Sequence, residues 1–445
     1  MRKKIEFLKG SCIIKCLPFV HILKEEFREL YCDFCFNRPT KVFRCSGCKY
    51  IYYCDRSCQG QAWKTHKDEC PCLKQVQPCE VSDTVRLLGR ILFKFKRNGE
   101  MEDSCISNTR SRRFKDLMSH YKDLKNNPDR MIHFVATYKM LKKFIGTDMS
   151  LPNESDLLGI YGRVSVNSFN IVDIEYRTLG VGLYLAASIF DHSCTPNAVP
   201  VFNGISLKII ALEDIECIDK VFISYIDVMN LTAERRKQLK YKYFFDCMCE
   251  KCTDPNSDKV MSSLKCSTPN CDAPIFADFA TNTIQPCDKC GYQYESKVLQ
   301  SYHEAAEYTT VNLDNMKDVN YLDACRLCLI KQGGLFHSLN ILRSKILDAA
   351  FESCIDLSLW DDAPIYGEEL VISFREYYGQ NHPLLGMLLA KLGKIKFNEG
   401  KDVEAAVFLK EALEILSLTH KEHKDFFSQV KELSYHASML KRHAQ

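Results

Sequence analysis

The spacing of hydrophobic residues changes along this 445-residue chain and divides it into regions. Short apolar runs at residues 12–14 and 19–20 predict strands near the start. Residues 84–145 carry apolar side chains at helical spacing, whereas residues 160–226 are rich in β-branched residues punctuated by glycines. That second pattern predicts short strands in a compact β-fold. From about residue 300 onward the pattern is helical almost without interruption, so we predict an α+β protein.

The helical tail carries a weak repeat signal. Leu392, Gly393, Ala405, Leu409 and Ala412 occupy the offsets of a tetratricopeptide helix pair, in which small residues let two helices approach closely. Any helical bundle also accounts for these positions. Both alternatives predict a helical C-terminal domain.

Length, composition and net charge limit the classes of protein to which this chain can belong. A chain of this length predicts two or three domains, and 46% hydrophobic with 26% charged residues is ordinary for a soluble globular protein. The net charge of +3 does not suit a protein that tracks phosphates, so we expect no direct nucleic-acid binding. Lys15 and His21 interrupt the apolar start, and no apolar run of membrane length occurs, so neither a secretory signal nor membrane association is predicted. We expect a monomer in the cytoplasm and nucleus.

The 24 cysteines are concentrated at residues 32–79 and 247–290. In a reducing compartment such clusters are metal ligands rather than disulfides. The first cluster supplies eight nitrogen or sulfur ligands, which suit two tetrahedral zinc ions with no position left for water. We therefore predict structural sites there. The ligands are Cys32, Cys35, Cys45, Cys48, Cys54, Cys58, His66 and Cys70.

Two further zinc sites are predicted. Cys247, Cys249 and Cys252 lack a fourth ligand, and Cys194 is the plausible completion from a distance. A separate zinc-ribbon-like set has two ligand pairs about fifteen residues apart, although four unconnected thiols remain possible. This set is Cys266, Cys271, Cys287 and Cys290. The nine other cysteines have no ligand pattern and are predicted to be buried thiols: Cys12, Cys16, Cys72, Cys79, Cys105, Cys217, Cys325, Cys328 and Cys354.

The first cluster resembles the MYND zinc finger over its full length. The resemblance implies interleaved ligation, with Cys32, Cys35, Cys54 and Cys58 on one zinc and with Cys45, Cys48, His66 and Cys70 on the other. MYND fingers commonly bind proline-rich peptides, so such partners are implied. Trp63 is a candidate for that surface, although packing is the commoner role of a lone tryptophan.

Five stretches in the middle of the chain resemble the SET domain, in the order and spacing of the SMYD family. They are residues 167–169, 180–184, 191–197, 223–227 and 245–252. The resemblance runs from roughly residue 10 to 252, and the helical tail resembles the family's tetratricopeptide-like domain. It implies an S-adenosylmethionine-dependent protein-lysine N-methyltransferase acting on histone or non-histone lysines.

The domains follow from this resemblance. A SET β-fold is interrupted by a MYND zinc finger and is followed by a zinc-bound post-SET segment and an α-helical tetratricopeptide-like C-terminal domain. The boundaries are 1–30 for incomplete N-terminal SET strands, 31–71 for the finger, 72–165 for a helical insertion, 166–231 for the SET core, 232–299 for the post-SET segment with its zinc-ribbon-like insert, and 300–445 for the helical domain.

The resemblance also implies roles for individual residues. Tyr225 and Tyr243 are the catalytic candidates. The cofactor would contact Asn167, Asp191, His192, Tyr225 and Phe245. The substrate lysine channel would be lined by Ser168, Phe169, Tyr225 and Tyr243, with Phe245 also close to it.

Four departures from the family concern the cofactor site. The chain begins too late for the family's glycine loop, and Asp191 replaces an asparagine. Residues 218–220 replace an acidic Gly-Glu-Glu. Met118 and His120 lie where polar cofactor contacts are expected. These departures leave open an alternative: a catalytically weak or inactive adaptor that binds proline-rich partners.

Overall fold

The computed structural model describes residues 5–77, 81–107, 109–146, 149–316 and 321–443. The chain divides into two compact units, which are described separately. The N-terminal unit comprises Met1–Asp191, Ala198–Ile223 and Lys240–Phe244. The C-terminal unit comprises His192–Asn197, Ser224–Leu239 and Phe245–Gln445.

The strands are short and the helices are concentrated toward the end of the chain. The strands are β1 (Cys12–Cys16), β2 (Val20–Leu23), β3 (Phe43–Arg44), β4 (Tyr52–Tyr53), β5 (Ser104–Ser107), β6 (Arg110–Arg112), β7 (Ser168–Val172), β8 (Thr178–Leu183), β9 (Asp191–His192), β10 (Ala198–Asn203), β11 (Ser206–Ala211), β12 (Phe222–Ile223), β13 (Leu264–Lys265), β14 (Pro274–Ile275), β15 (Ala277–Asp278) and β16 (Thr283–Ile284). The helices are α1 (Arg56–Val76), α2 (Asp83–Phe95), α3 (Tyr121–Lys125), α4 (Pro128–Ile145), α5 (Glu154–Asn167), α6 (Thr232–Tyr243), α7 (Glu250–Thr253), α8 (Ser257–Met261), α9 (Val298–Asn315), α10 (Leu322–Gln332), α11 (Ile341–Asp356), α12 (Ala363–Tyr378), α13 (Pro383–Asn398), α14 (Asp402–Thr419) and α15 (Lys424–His443).

The two largest sheets described in the N-terminal unit are antiparallel and three-stranded. One has the order β1-β11-β10 and the other the order β2-β8-β7. In the second sheet, Ile22 pairs with Val181 and is fully buried. The predicted early strands and the α+β class are therefore confirmed. The predicted β-fold is confirmed from Ser168 onward, but residues 160–167 belong to helix α5.

The predicted helical stretch at residues 84–145 is only partly helical. Helices α2 and α4 account for most of it, but β5 and β6 form a hairpin between them. The four residues of β5 alternate between half-buried and exposed, as expected for a strand at the surface. A strand this short contains too few alternations for its period to stand out among helical neighbours.

The finger is built into the N-terminal unit rather than attached to it. Gly204, in the turn between β10 and β11, has a φ of +55°, and a Cβ there would lie 2.4 Å from the carbonyl oxygen of Cys35. Only glycine allows this close approach of finger and hairpin. Several finger ligands, including Cys32 and Cys48, pack in the same hydrophobic core as α2 and α4.

Four buried charges connect the finger to α2. Arg86 donates to Asp33 at 3.1 Å and to Glu69 at 3.1 Å, and Arg90 donates to the same two carboxylates at 2.6 and 2.8 Å. Burial alone favours protonation of Asp33 and Glu69, but Arg90 and Arg86 outweigh it and lower the pKa of each carboxyl. The charges balance, and each acid is shared by both arginines.

The C-terminal unit ends in a series of helices, α9 to α15. Gly393 on α13 faces Leu409 on α14, and a Cβ at Gly393 would lie 2.6 Å from that leucine. Leu392, Ala405 and Ala412 are fully buried. The small residues thus allow the close helix pair that the repeat signal predicted. Among the described residues, no helix combines the length and apolar character that a membrane crossing requires.

Candidate functional site

The structure brings the finger ligands together in the interleaved pairing that the MYND resemblance implies. Cys32, Cys35, Cys54 and Cys58 form one group, and Cys45, Cys48, His66 and Cys70 form the other. In the second group, Nε2 of His66 lies 3.6 Å from Cys48 Sγ, while Nδ1 lies 3.4 Å from a Glu69 oxygen. A carboxylate behind a metal-binding imidazole fixes its tautomer and orientation.

The distances between ligand atoms fit zinc. Zinc–sulfur bonds of about 2.3 Å in a tetrahedron place neighbouring sulfurs about 3.8 Å apart. The observed separations are 3.5 Å for Cys35–Cys54 and 3.9 Å for Cys45–Cys70. A disulfide would need about 2 Å. Sulfur-rich sets at this spacing suit a structural zinc ion.

The two other predicted groups are also assembled, and both lie within the C-terminal unit. Cys194 joins the trio Cys247, Cys249 and Cys252, with its sulfur 3.5 Å from that of Cys252. The zinc-ribbon-like set is Cys266, Cys271, Cys287 and Cys290, with sulfur separations of 3.5 and 3.6 Å. Within each group all four sulfurs lie within 4.8 Å of one another.

Arg235 on α6 supports the Cys194 group, a role that the sequence did not reveal. Its guanidinium is buried, lies 3.6 Å from Cys252 Sγ and donates to the hydroxyl of Thr232 at 2.8 Å. Four thiolates around one Zn²⁺ carry a net charge of −2, and this arginine offsets part of it. The next residue, Arg236, donates to the carbonyl oxygens of Cys247 and Cys252.

A distant carboxylate stabilises the start of α6. Thr232 is the first helical residue. Its N–H and hydroxyl both donate to Asp258, at 3.0 and 2.8 Å. A carboxylate 26 residues away thus accepts from the free N–H at the helix start, where negative charge is favourable.

Three aromatic side chains assigned to the reaction site lie together in the C-terminal unit. The ring centroids of His192 and Tyr225 are 5.4 Å apart, and Phe245 lies 6.0 and 6.5 Å from them. The N–H of Tyr225 donates to Nδ1 of His192 at 3.1 Å, and Nε2 of His192 lies 3.3 Å from Cys194 Sγ. The imidazole therefore links a zinc ligand to the backbone of the tyrosine.

The other predicted site residues belong to the N-terminal unit. Asn167 ends α5, and its amide donates to the carbonyls of Arg163 and Met118 at 2.8 and 2.9 Å. Ser168 and Phe169 begin β7. Tyr243 is buried, and burial raises the pKa of its phenol to about 12. This phenol is therefore neutral at physiological pH.

The departures from the family pattern have defined places in the same unit. Asp191 is exposed. Residues 218–220 form a single helical turn at the surface, where Asp219 pairs with Arg110 at 2.8 Å. Met118 is 60% exposed, while the ring of His120 packs against Phe244 with centroids 5.3 Å apart.

The prediction that the remaining cysteines are buried is partly wrong. Cys72, Cys325, Cys328 and Cys354 are buried, Cys16 and Cys217 are half-buried, and Cys12 and Cys105 are exposed. Cys12 begins β1 at the edge of its sheet, and Cys105 lies on β5, whose residues alternate between half-buried and exposed. Cys79 lies outside the described residues.

A zinc finger with two interleaved sites, inserted between strands of a small β-fold and followed by a four-cysteine site and a helical tail, defines a SET-and-MYND type of protein. The MYND finger family matches residues 32–70. The chain is 30% identical to human histone-lysine N-methyltransferase SMYD3 over 417 residues, which cover 93% of this chain and 89% of that protein. It is 28% identical to N-lysine methyltransferase SMYD2-A of Xenopus laevis over 427 residues, which cover 96% and 94% of the two chains. The chain belongs to the SMYD family of SET- and MYND-domain lysine methyltransferases.

Proposed function

We propose that this protein is an S-adenosylmethionine-dependent protein-lysine N-methyltransferase whose substrates are histone or other protein lysines. Family membership supports the reaction class. One observation carries the proposal for this chain: Cys194 lies in the same ligand group as Cys247, Cys249 and Cys252, and its sulfur is 3.5 Å from that of Cys252. This ligand fixes residues 192–197 beside residues 245–252, and with them His192 and Phe245.

The cofactor supplies an electrophilic methyl group on a sulfonium centre. We assign its contacts to Asn167, Asp191, His192, Tyr225 and Phe245. Asp191 accepts hydrogen bonds from an ammonium group but cannot donate to a carboxylate as an asparagine does. We therefore expect weaker cofactor binding than with asparagine at this position, and Asp191→Asn should strengthen it.

The substrate lysine must arrive as a neutral amine, because a protonated amine has no lone pair with which to attack. We assign the channel to Ser168, Phe169, Tyr225 and Tyr243. A buried aromatic channel disfavours the charged ammonium form and excludes water. Since burial raises the pKa of Tyr243 to about 12, its hydroxyl orients the amine as a neutral partner rather than removing a proton.

His192 positions Tyr225 in this proposal. Burial and the nearby Arg235 lower the pKa of His192 to about 4, so the ring is neutral. Because Nδ1 accepts from the Tyr225 N–H, the proton of the neutral ring lies on Nε2, toward Cys194 Sγ. Methyl transfer depends on the alignment of the reacting groups. The hydrogen bonds of His192 hold the backbone of Tyr225 in a fixed position relative to the zinc ligand Cys194.

Tyr225→Phe is the direct test of the transferase. The variant should lose about 10- to 100-fold in transfer rate, because an oriented hydroxyl is removed, while cofactor affinity changes little. Calorimetry with S-adenosylmethionine measures binding, and methylation of histones and lysine peptides measures transfer.

Tyr435→Phe, which removes one hydroxyl from an exposed ring outside the assigned site, is the matched control. If the unmodified protein does not bind S-adenosylmethionine, the transferase is excluded and the adaptor alternative remains. If Tyr225→Phe retains full transfer, Tyr225 is not catalytic.

A second role, binding of proline-rich peptides at the finger, is proposed on the exposure of Trp63. This side chain is 48% exposed and packs edge-on against His66, with ring centroids 6.1 Å apart. Fluorescence of Trp63 in a Trp360→Phe background should shift when a proline-rich peptide binds. The whole chain must be used, because the finger shares its core and its buried charges with α2. A fluorescence signal that does not change at millimolar peptide contradicts this role.

A further inference from the structure

The zinc-ribbon-like insert contains the one exposed residue among the sixteen ligands of the four described groups. Cys290 is exposed, whereas every other ligand is buried or half-buried. Its sulfur lies 3.5 Å from that of Cys266 and 3.3 Å from the hydroxyl of Thr268. The other three ligands, Cys266, Cys271 and Cys287, are buried. The group therefore faces solvent only at Cys290.

The structure around Cys290 consists of short elements. The insert is built from two hairpins of two-residue strands, β13 with β14 and β15 with β16. Beside Cys290, Lys289 pairs with Asp272 at 2.5 Å, and both side chains are mostly exposed. An ion pair of this kind contributes little to stability and does not exclude small solutes. This ion pair therefore does not shield Cys290 from solvent.

We propose that Cys290 is the zinc ligand that oxidants and electrophiles reach first, and that its modification releases the metal from the insert. Thiolate reactivity depends on access as well as on charge. With hydrogen peroxide, the Cys290 thiolate attacks one peroxide oxygen, an S–O bond forms and the O–O bond breaks. The leaving hydroxide takes a proton and becomes water. Cys290 is then a sulfenic acid, oxidised by two electrons.

Cys266 completes the reaction, because its sulfur lies 3.5 Å from that of Cys290. Its thiolate attacks the sulfenic sulfur, a disulfide forms, and the departing hydroxide is protonated to a second water. Two thiolates have then lost two electrons to one peroxide. Two ligands remain, Cys271 and Cys287, and two thiolates do not hold zinc against a chelator.

The structural consequence is local. Cys266, Cys271 and Cys287 belong to a small core with Tyr302 and Phe336. The hydroxyl of Tyr302 also donates to the carbonyl of Ser262 at 3.0 Å, and Asn340 donates to the carbonyl of Ser263 at 3.1 Å. These bonds do not involve the metal, so α9 keeps its attachment while residues 264–294 loosen.

The test uses the whole zinc-loaded chain with Cys12→Ser and Cys105→Ser, which remove the exposed cysteines outside the metal groups among the described residues. Hydrogen peroxide is added at about one equivalent. Released zinc is measured with a chromophoric chelator, and oxidised cysteines are mapped by peptide mass spectrometry. The first zinc should appear together with a Cys266–Cys290 disulfide. Release that accompanies oxidation of the finger or of the Cys194 group would overturn the proposal, as would Cys290 oxidation without release.

Cys290→His sharpens the test, since histidine binds zinc but does not form a disulfide. This variant should keep the metal and slow the first release at least about tenfold. Cys58→His, at a half-buried ligand of the finger, is the matched control and should leave the first release unchanged. An unaltered rate in Cys290→His contradicts the proposal. The mass-spectrometric map of the parent protein decides the matter if either histidine variant does not fold.

Discussion

The MYND finger and the zinc-ribbon-like insert use the same kinds of ligand in opposite settings. Around the second finger site, all four ligands are buried, and Glu69 connects His66 to Arg86 and Arg90. Around the insert, Cys290 is exposed, and its neighbour Lys289 forms a surface ion pair. The ligand geometry is similar, with sulfur separations of 3.5 and 3.9 Å in the finger and of 3.5 and 3.6 Å in the insert. The surroundings differ.

The difference shows that coordination alone does not determine what a structural zinc stabilises. In the finger, metal ligands share a core with α2 and α4, so zinc binding and folding of the N-terminal unit are one process. In the insert, the ligands share a smaller core with α9. We expect its metal to stabilise the insert alone.

The largest expected contrast comes from removing one ligand in each region. Cys48→Ser should prevent folding of the N-terminal unit, because a lost ligand opens a site at the centre of its core. Cys287→Ser should lower the zinc content by one ion and leave the rest folded. Elemental analysis and circular dichroism measure both outcomes.

Elemental analysis should give four zinc ions per chain for the parent protein, one for each ligand group. Cys354→Ser, a buried cysteine outside the metal groups, is the control and should keep all four. Three zinc ions or fewer in the parent protein would show that the insert does not bind zinc. Loss of the whole fold in Cys287→Ser contradicts the proposed independence of the two regions.

A smaller effect is expected when the metal ligands are kept and Glu69, which contacts both His66 and the arginines of α2, loses its charge. Glu69→Gln leaves two buried arginines facing one carboxylate, and breaking a buried ion pair in this way costs about 3–5 kcal/mol. Hydrogen exchange of the α2 amides should accelerate accordingly. The matched control is Glu102→Gln, whose partner Lys94 lies 2.7 Å away and whose side chain is 57% exposed; its loss should cost less than about 1 kcal/mol. Equal effects of the two substitutions would show that the buried charges do not couple finger and helix.

The sequence was sufficient to predict the features that depend on residues close together along the chain. Ligand positions in the finger were readable because each chelating turn brings two ligands to one metal, as with Cys45 and Cys48. The helical tail was readable because its apolar period continues over many turns. The distant ligand Cys194 was inferred because three thiolates leave zinc one position short.

Features that depend on long-range burial were not readable. Glu69 and Arg86 are 17 residues apart, and Asp33 and Arg90 are 57 apart, so nothing local pairs them. Arg235 lies in a charged stretch that resembles a solvated helix face, yet its guanidinium is buried beside Cys252. In each case the tertiary structure supplies a partner that offsets the desolvation cost of the charge.

The smallest expected effect concerns pH. Helix α13, which contributes none of the described zinc ligands, serves as a reference for the pH dependence of the finger and the insert. His382 caps α13 by accepting the N–H of Leu384 at 3.2 Å, and burial lowers its pKa to about 4. The unfolded chain binds this proton near pH 6.5, so the stability from His382 is complete above that pH and is lost as pH falls toward 4. His382→Asn keeps a capping oxygen without a titrating group and should flatten this dependence in hydrogen exchange of α13 between about pH 7 and 5. Acid also protonates zinc ligands, so slopes in the finger and insert that exceed that of α13 report metal loss. Parallel pH profiles of the parent protein and His382→Asn would rule out His382 as the source of acid sensitivity in these helices.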